Sequence, residues 1–180
     1  MMSLAYVFYI FVGLAMVIGA MRGWAKELLV IFSAILGLFI IMVFQTYVGI
    51  YNSIIAGGGP TTEFWVRATV MLLMAFFGYQ TPKISRLQAA ARREKARDML
   101  LGAVFGAVNG YLIIGSIWSF LEKAGYHNFP KVFMSPDPAT PMGELAINLV
   151  NAMPPNFLMQ APAIYITIAV AFTIVVIVYV

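Results

Sequence analysis

Eleven basic side chains, seven acidic ones and a single histidine carry all the ionic chemistry of this 180-residue chain, and it contains no cysteine. Thiolate metal sites, cysteine nucleophiles and disulfides are therefore excluded. His127 stands beside Tyr126 and Asn128 in a connection between apolar stretches. A lone loop histidine is ordinarily solvated, and a metal there would need remote Asp137 or Glu144 as a further ligand. No apolar stretch holds a histidine, so burial of a haem or chlorin on a helix histidine is unavailable. The sequence shows no nucleophile–base pair, paired carboxylates or phosphate-cradling loop. Gly57-Gly58-Gly59 precedes no lysine motif and reads as a turn. No enzyme, metal site or cofactor site is visible, although bound lipid or pigment is left open.

The remaining charges fall into two groups. Glu63 and Arg67 are four residues apart, at helix spacing for an ion pair at headgroup level, with the arginine snorkelling. The stretch from Lys83 to Asp98 holds six bases and two acids, and Lys83, Arg86, Arg93 and Arg97 share one face at helical spacing. Such a face is attracted to anionic headgroups by about 1 kcal/mol per base, or to an acidic partner. A solvated loop with the usual topogenic bias is the plainer reading. Aromatic interleaving and a binding module are missing, so nucleic acid is not an expected partner.

Small residues give the sharpest local pattern. Gly102, Gly106 and Gly110 fall on one helix face, and Ala15, Gly19 and Gly23 repeat the spacing near the start of the chain. In lipid, close backbone approach through such residues is what packs helices. The face serves either the bundle itself or an interface with a second copy or another subunit. Asn109, Gln45 and scattered serines and threonines can add hydrogen bonds between helices.

The elements that carry these residues follow from composition. The chain is 62% hydrophobic and 10% charged, with a mean hydropathy of +0.91; an ordinary soluble domain is about half apolar and about a quarter charged. A spanning helix needs roughly 20 largely apolar residues. Five stretches qualify: Met1 to Met21, Leu28 to about Tyr51, about Phe64 to Gln80, Met99 to Leu121, and Pro162 to Val180. Gly57-Gly58-Gly59-Pro60 breaks the chain before the third, which Thr61 or Thr62 then caps. The first stretch lacks a basic leader and reads as a retained helix rather than a signal peptide. Thr140-Pro141 marks another helix start. From there Met142, Leu145, Ala146, Leu149, Val150 and Met153 recur at helical spacing until Pro154-Pro155. This is a short amphipathic helix that lies along the outer membrane surface or packs over the bundle mouth.

The expected architecture is an all-α integral membrane protein, a bundle of about five transmembrane helices plus a short interfacial helix near 141–153. Residues 1–161 form a four-helix membrane domain with that outer helix, and 162–180 an additional C-terminal transmembrane helix. Arg22 and Lys26, with Lys83, Arg86, Arg92, Arg93, Lys95 and Arg97, lie on one side, against Arg67, Lys123 and Lys131 on the other. By the positive-inside rule the N-terminus is outside and the C-terminus cytoplasmic.

Two stretches resemble a known family. Gly19-Ala20-Met21-Arg22-Gly23-Trp24-Ala25-Lys26-Glu27-Leu28 resembles the Arg-Gly-aromatic-x-basic-Glu signature after the first helix of the colicin V production protein (CvpA) family. Asp98 to Gly110, with Gly102 and Gly106 between, resembles the stretch that opens that family's fourth helix. Met99 replaces the usual arginine after the aspartate, Asn109 stands where a basic residue is common, and the fifth helix goes beyond the family pattern. The resemblance implies a bacterial inner-membrane protein tied to envelope function and marks Arg22, Lys26, Glu27 and Asp98 as cytoplasmic motif residues. Glu27 can neutralise one of the bases beside it, Asp98 suits a helix N-terminus, and Arg22 with Asp98 is a candidate pair across the mouth. The expected role is a non-catalytic scaffold or accessory subunit whose partners are lipids and other membrane subunits or itself. A homo-oligomeric channel or export factor is the alternative, although no helix shows a continuous polar stripe.

Overall fold

A computed structural model describes residues 4–80, 95–126 and 135–179, and these are helical throughout apart from short connections. In chain order the helices are α1 Leu4–Arg22, α2 Trp24–Tyr47, α3 Gly49–Tyr79, α4 Lys95–Lys123, α5 Pro141–Asn151, α6 Pro154–Leu158 and α7 Ala163–Tyr179. α2 is the central element: it packs against α3, α4 and α7, and Val30, Ala34, Leu38 and Ile41 are buried along it. α1 lies at the edge and packs mainly on α4.

Each break has a local cause. α1 and α2 are separated by Gly23 alone, whose φ of 86° is open to glycine and strained for other residues. α2 stops at Tyr47 because Val48 is extended (φ −105°, ψ 97°), not near Tyr51 as the apolar run suggests. The glycine triplet breaks the helix as its residues suggest: the backbone at Gly59 (φ 70°, ψ −172°) is non-helical, Pro60 opens the segment that follows, and α3 is two helices joined at that kink. Thr62 does not cap the second segment; its hydroxyl donates to the Gly58 carbonyl at 2.8 Å. α5 starts as its sequence suggests, with Pro141 in the first turn and Thr140 Oγ1 accepting from Gly143 N–H at 3.1 Å.

α1, α2 and α4 are long and apolar enough to cross a bilayer. The pair formed by Pro141–Leu158 and Ala163–Tyr179, bent by 76°, makes a fourth span if it is taken as one. Among the described residues this is fewer than the five stretches counted from sequence. The apolar run of α3 is interrupted by its kink and by Glu63 and Arg67, and α7 has 17 residues.

The amphipathic helix α5 has three faces. Gly143, Ala146 and Val150 are buried, Gly143 against the Asp137 backbone, and the helix packs on α1 and α4. Met142 and Leu145 are apolar and exposed, while Glu144, Asn148 and Asn151 form an exposed polar edge. α6 follows it into the bundle, where Met153 and Pro154 pack against Gly115 of α4.

Candidate functional site

The break at Gly23 sets up the most polar buried region of the molecule. It leaves Arg22 as the last residue of α1 and Glu27 in the first turn of α2. Glu27 is 0% exposed. A buried carboxylate is costly unless it is paired and hydrogen-bonded, and Glu27 is both. Arg22 Nη1 donates to its Oε1 at 2.6 Å, and Asn109 of α4 donates from Nδ2 to its Oε2 at 2.7 Å and to its backbone carbonyl at 3.1 Å. The Arg22 side chain is 20% exposed. Its Nη2 donates to the Tyr79 carbonyl at 3.2 Å, and its guanidinium lies 4.4 Å from the centroid of the Tyr79 ring. Four helices therefore converge on one charge pair. Asn109 Oδ1 is buried and has no hydrogen-bond partner among the described residues.

Asp98 completes the junction in a different way from the expected pair with Arg22. Its carboxylate lies against Gly23, where a Cβ would approach Asp98 Oδ2 to 2.6 Å, and its Oδ1 accepts from Trp24 N–H at 3.2 Å. Gly23 has no side chain with which to cap α2. The carboxylate of another helix meets those free amides instead, a position also favoured by the helix dipole.

Below the junction, α1 and α4 meet backbone to backbone. A Cβ on Gly19 would come within 2.7 Å of Gly106 Cα, and one on Gly106 within 2.9 Å of Gly19 Cα. Gly102 faces the Gly19 carbonyl, and Gly110 faces Val12 Cα and Ala15 Cβ at 2.9 Å. Gly19, Gly102 and Gly106 thus face one another within the chain, while Gly110 packs on Val12 and Ala15 and Gly23 on Asp98.

The opposite end of the bundle holds a second charged group. Arg67 pairs with Glu63 one turn away in α3, and its side chain is 12% exposed. The Gln45 amide, turned with its oxygen toward the guanidinium, accepts from Arg67 Nε and Nη2, and the Phe120 ring lies 5.8 Å from the guanidinium carbon. The expected snorkelling arginine is instead packed between α2, α3 and α4. Nearby, Trp118 Nε1 donates to the Tyr126 hydroxyl at 3.3 Å, and burial pushes that hydroxyl's pKa above its ordinary value.

Sequence reasoning locates Arg22, Glu27 and Asp98, and its expectation that Glu27 neutralises a neighbouring base at the start of the second helix matches the Arg22 pair; it does not foresee the depth of Glu27. Glu27 is in fact sealed in the core. For Asn109 the sequence suggests only a general interhelical donor; its place as a departure from a family pattern is the one available signal. Tyr79 escapes such reasoning because it lies 57 residues from Arg22, and the part of Trp24 that meets Asp98 is a backbone amide with no side-chain signature. Lys26 is exposed on α2 and Arg97 on the first turn of α4. His127, Lys83, Arg86 and Arg93 lie outside the described residues.

The family model described as colicin V production protein matches residues 4–135, a span that takes in α1 to α4 and every residue of the junction. No curated protein matches the chain. No solved structure matches it either.

Proposed function

The chain belongs to the colicin V production protein family, and from that premise we propose that it works by association, as a non-catalytic scaffold or accessory subunit of a bacterial inner-membrane complex. The observation that supports this reading is the use made of the motif residues. Of these, Arg22, Glu27 and Asp98 are engaged in holding helices to one another, together with Asn109, a residue outside the motif. Meanwhile α1 turns a broad apolar flank outward through residues such as Ile10, Leu14 and Val17. A helix with a single main packing neighbour suits lateral contact with another membrane subunit. In this reading the Arg22 end faces the cytoplasm, as the lysine and arginine bias requires, and the exposed Lys26 and Arg97, with Lys83, Arg86 and Arg93, meet anionic headgroups or an acidic partner.

Extraction from native membranes in mild detergent, followed by sizing and mass spectrometry of what travels with the chain, tests this. Stoichiometric co-migration with other subunits is the expected result. Migration alone or as a defined homo-oligomer would overturn it and favour the second reading, a channel or export factor. That reading draws on one feature: buried Asn109, Ser116 and Ser119 all sit on α4. Conductance in reconstituted vesicles is its test, and silence would remove it.

A further inference from the structure

We propose that the cleft between α2 and α7 is a lipid site that takes one acyl chain from the bilayer leaflet at the Arg22 end. α7 runs antiparallel to α2 and is pinned to it at both ends. Tyr179 Oη donates to the Ala25 carbonyl at 2.5 Å, and the Tyr165 and Tyr47 hydroxyls meet at 3.4 Å. Between those pins the helices do not close. A cleft of about 150 Å³ remains, lined by Leu28, Ile31 and Ile35 of α2 and by Val170, Ala171 and Ile174 of α7. Thr167 adds the single polar side chain of the lining.

The chemistry of the lining selects the occupant. A water needs two to four polar partners, and this cleft does not offer them. Left empty, its walls would forfeit the dispersion contacts that close packing supplies. The filler must therefore be hydrocarbon. The exposed residues of the cleft's lining are Val170 and Ile174, and they are continuous with the exposed apolar face of α7 at Ile166 and Ile177. That face is the one a bilayer covers, so acyl chains have lateral access.

Dimensions agree with a single chain. From Leu28 to Ile35 the wall rises about 10 Å at about 1.5 Å per residue, against a leaflet of about 15 Å, half the hydrocarbon thickness. Leu28 lies one turn from Trp24, and Tyr179 lies beside Ala25. Tryptophan and tyrosine favour the headgroup level, so the cleft begins just below it. One wall belongs to α7, which lies beyond the matched residues 4–135.

The test uses the full chain in nanodiscs of phosphatidylethanolamine and phosphatidylglycerol, released for native mass spectrometry. One lipid per chain is expected to survive release. Ala171→Phe, which puts a ring into the cleft, should lower retention at least tenfold, whereas Ile177→Ala on the outward face should leave it unchanged. A parent chain without lipid, or equal retention in the folded filled variant, would overturn the proposal. So would a dimer mass in place of the lipid, which would give the cleft to a second copy. Because a filled variant can fail to fold, the parent chain is also reconstituted with a phospholipid carrying a mid-chain diazirine. Carbene label on the Leu28–Ile35 segment is expected, and label restricted to exposed positions such as Ile177 would refute the site.

Discussion

The two ends of the bundle solve the same electrostatic problem with different means. At one end Glu63 and Arg67 sit one turn apart on a single helix, so the pair forms as soon as α3 forms. At the other, Glu27 draws partners from α1 and α4, the second of them 82 residues away. The Glu63–Arg67 pair itself adds little that the helix does not already have, and Gln45 and Phe120 reach the guanidinium from α2 and α4. The Arg22–Glu27 pair is also close in sequence, and it is Tyr79 and Asn109 that tie it into four helices. The difference teaches that the hydrogen bonds a sealed carboxylate draws from distant helices, more than the charge pair alone, decide how far it contributes to the fold.

This contrast can be broken most forcefully at Arg22. Arg22→Ala leaves Glu27 buried without its counter-charge, and removing one partner of a buried pair costs roughly 3–5 kcal/mol. Reversible unfolding in mixed detergent micelles should register that loss. A change below about 1 kcal/mol would place the junction on the same footing as an exposed pair. Next in size is Gly19→Leu, whose side chain would enter the backbone of α4 at Gly106. Overpacking typically costs about 1–3 kcal/mol. Because the chain has no cysteine of its own, single cysteines placed on α1 and α4 can carry spin labels. The distance between them should lengthen in the variant, and an unchanged distance would contradict the backbone seam.

Two smaller effects sharpen the comparison from the opposite end. Thr140→Ala removes the hydroxyl that caps α5 and should cost about 1 kcal/mol, visible as faster backbone amide exchange at Gly143 while Glu27's helix is unaffected. Glu63→Ala should cost least, about 0.3–0.5 kcal/mol for a spaced pair on one helix, since Gln45 still faces Arg67. If Glu63→Ala proved as damaging as Arg22→Ala, the distinction between the two ends would fall.

Much of the fold is legible in the residues alone. The apolar stretches are helices, the start of α5 at Thr140 and Pro141 has the capping contact its residues suggest, and the two blocks that resemble the CvpA family lie inside the matched region. The site is harder to read. In a soluble helix, alternation between apolar and polar residues reveals which face is buried. Along α1 almost every residue is apolar, so neither the lipid-facing nor the packed side has a compositional mark, and only the glycines distinguish them. The triplet at Gly57 to Gly59 reads correctly as a break, because glycine allows the non-helical backbone that Gly59 adopts and Pro60 cannot continue the preceding helix.

Composition and hydropathy alone determined that this is an all-helical membrane-type protein, because burying so apolar a chain in water is not feasible and lipid demands internally bonded backbone. The order of the packed helices, the sealing of Glu27 against Asn109 and Arg22, the turn of Asp98 toward the α2 amides, and the gap left between α2 and α7 were decided only by tertiary structure. Each depends on groups far apart in sequence meeting in one place, and hydrogen bonds and steric fit act on distance in space, which no local pattern of residues encodes.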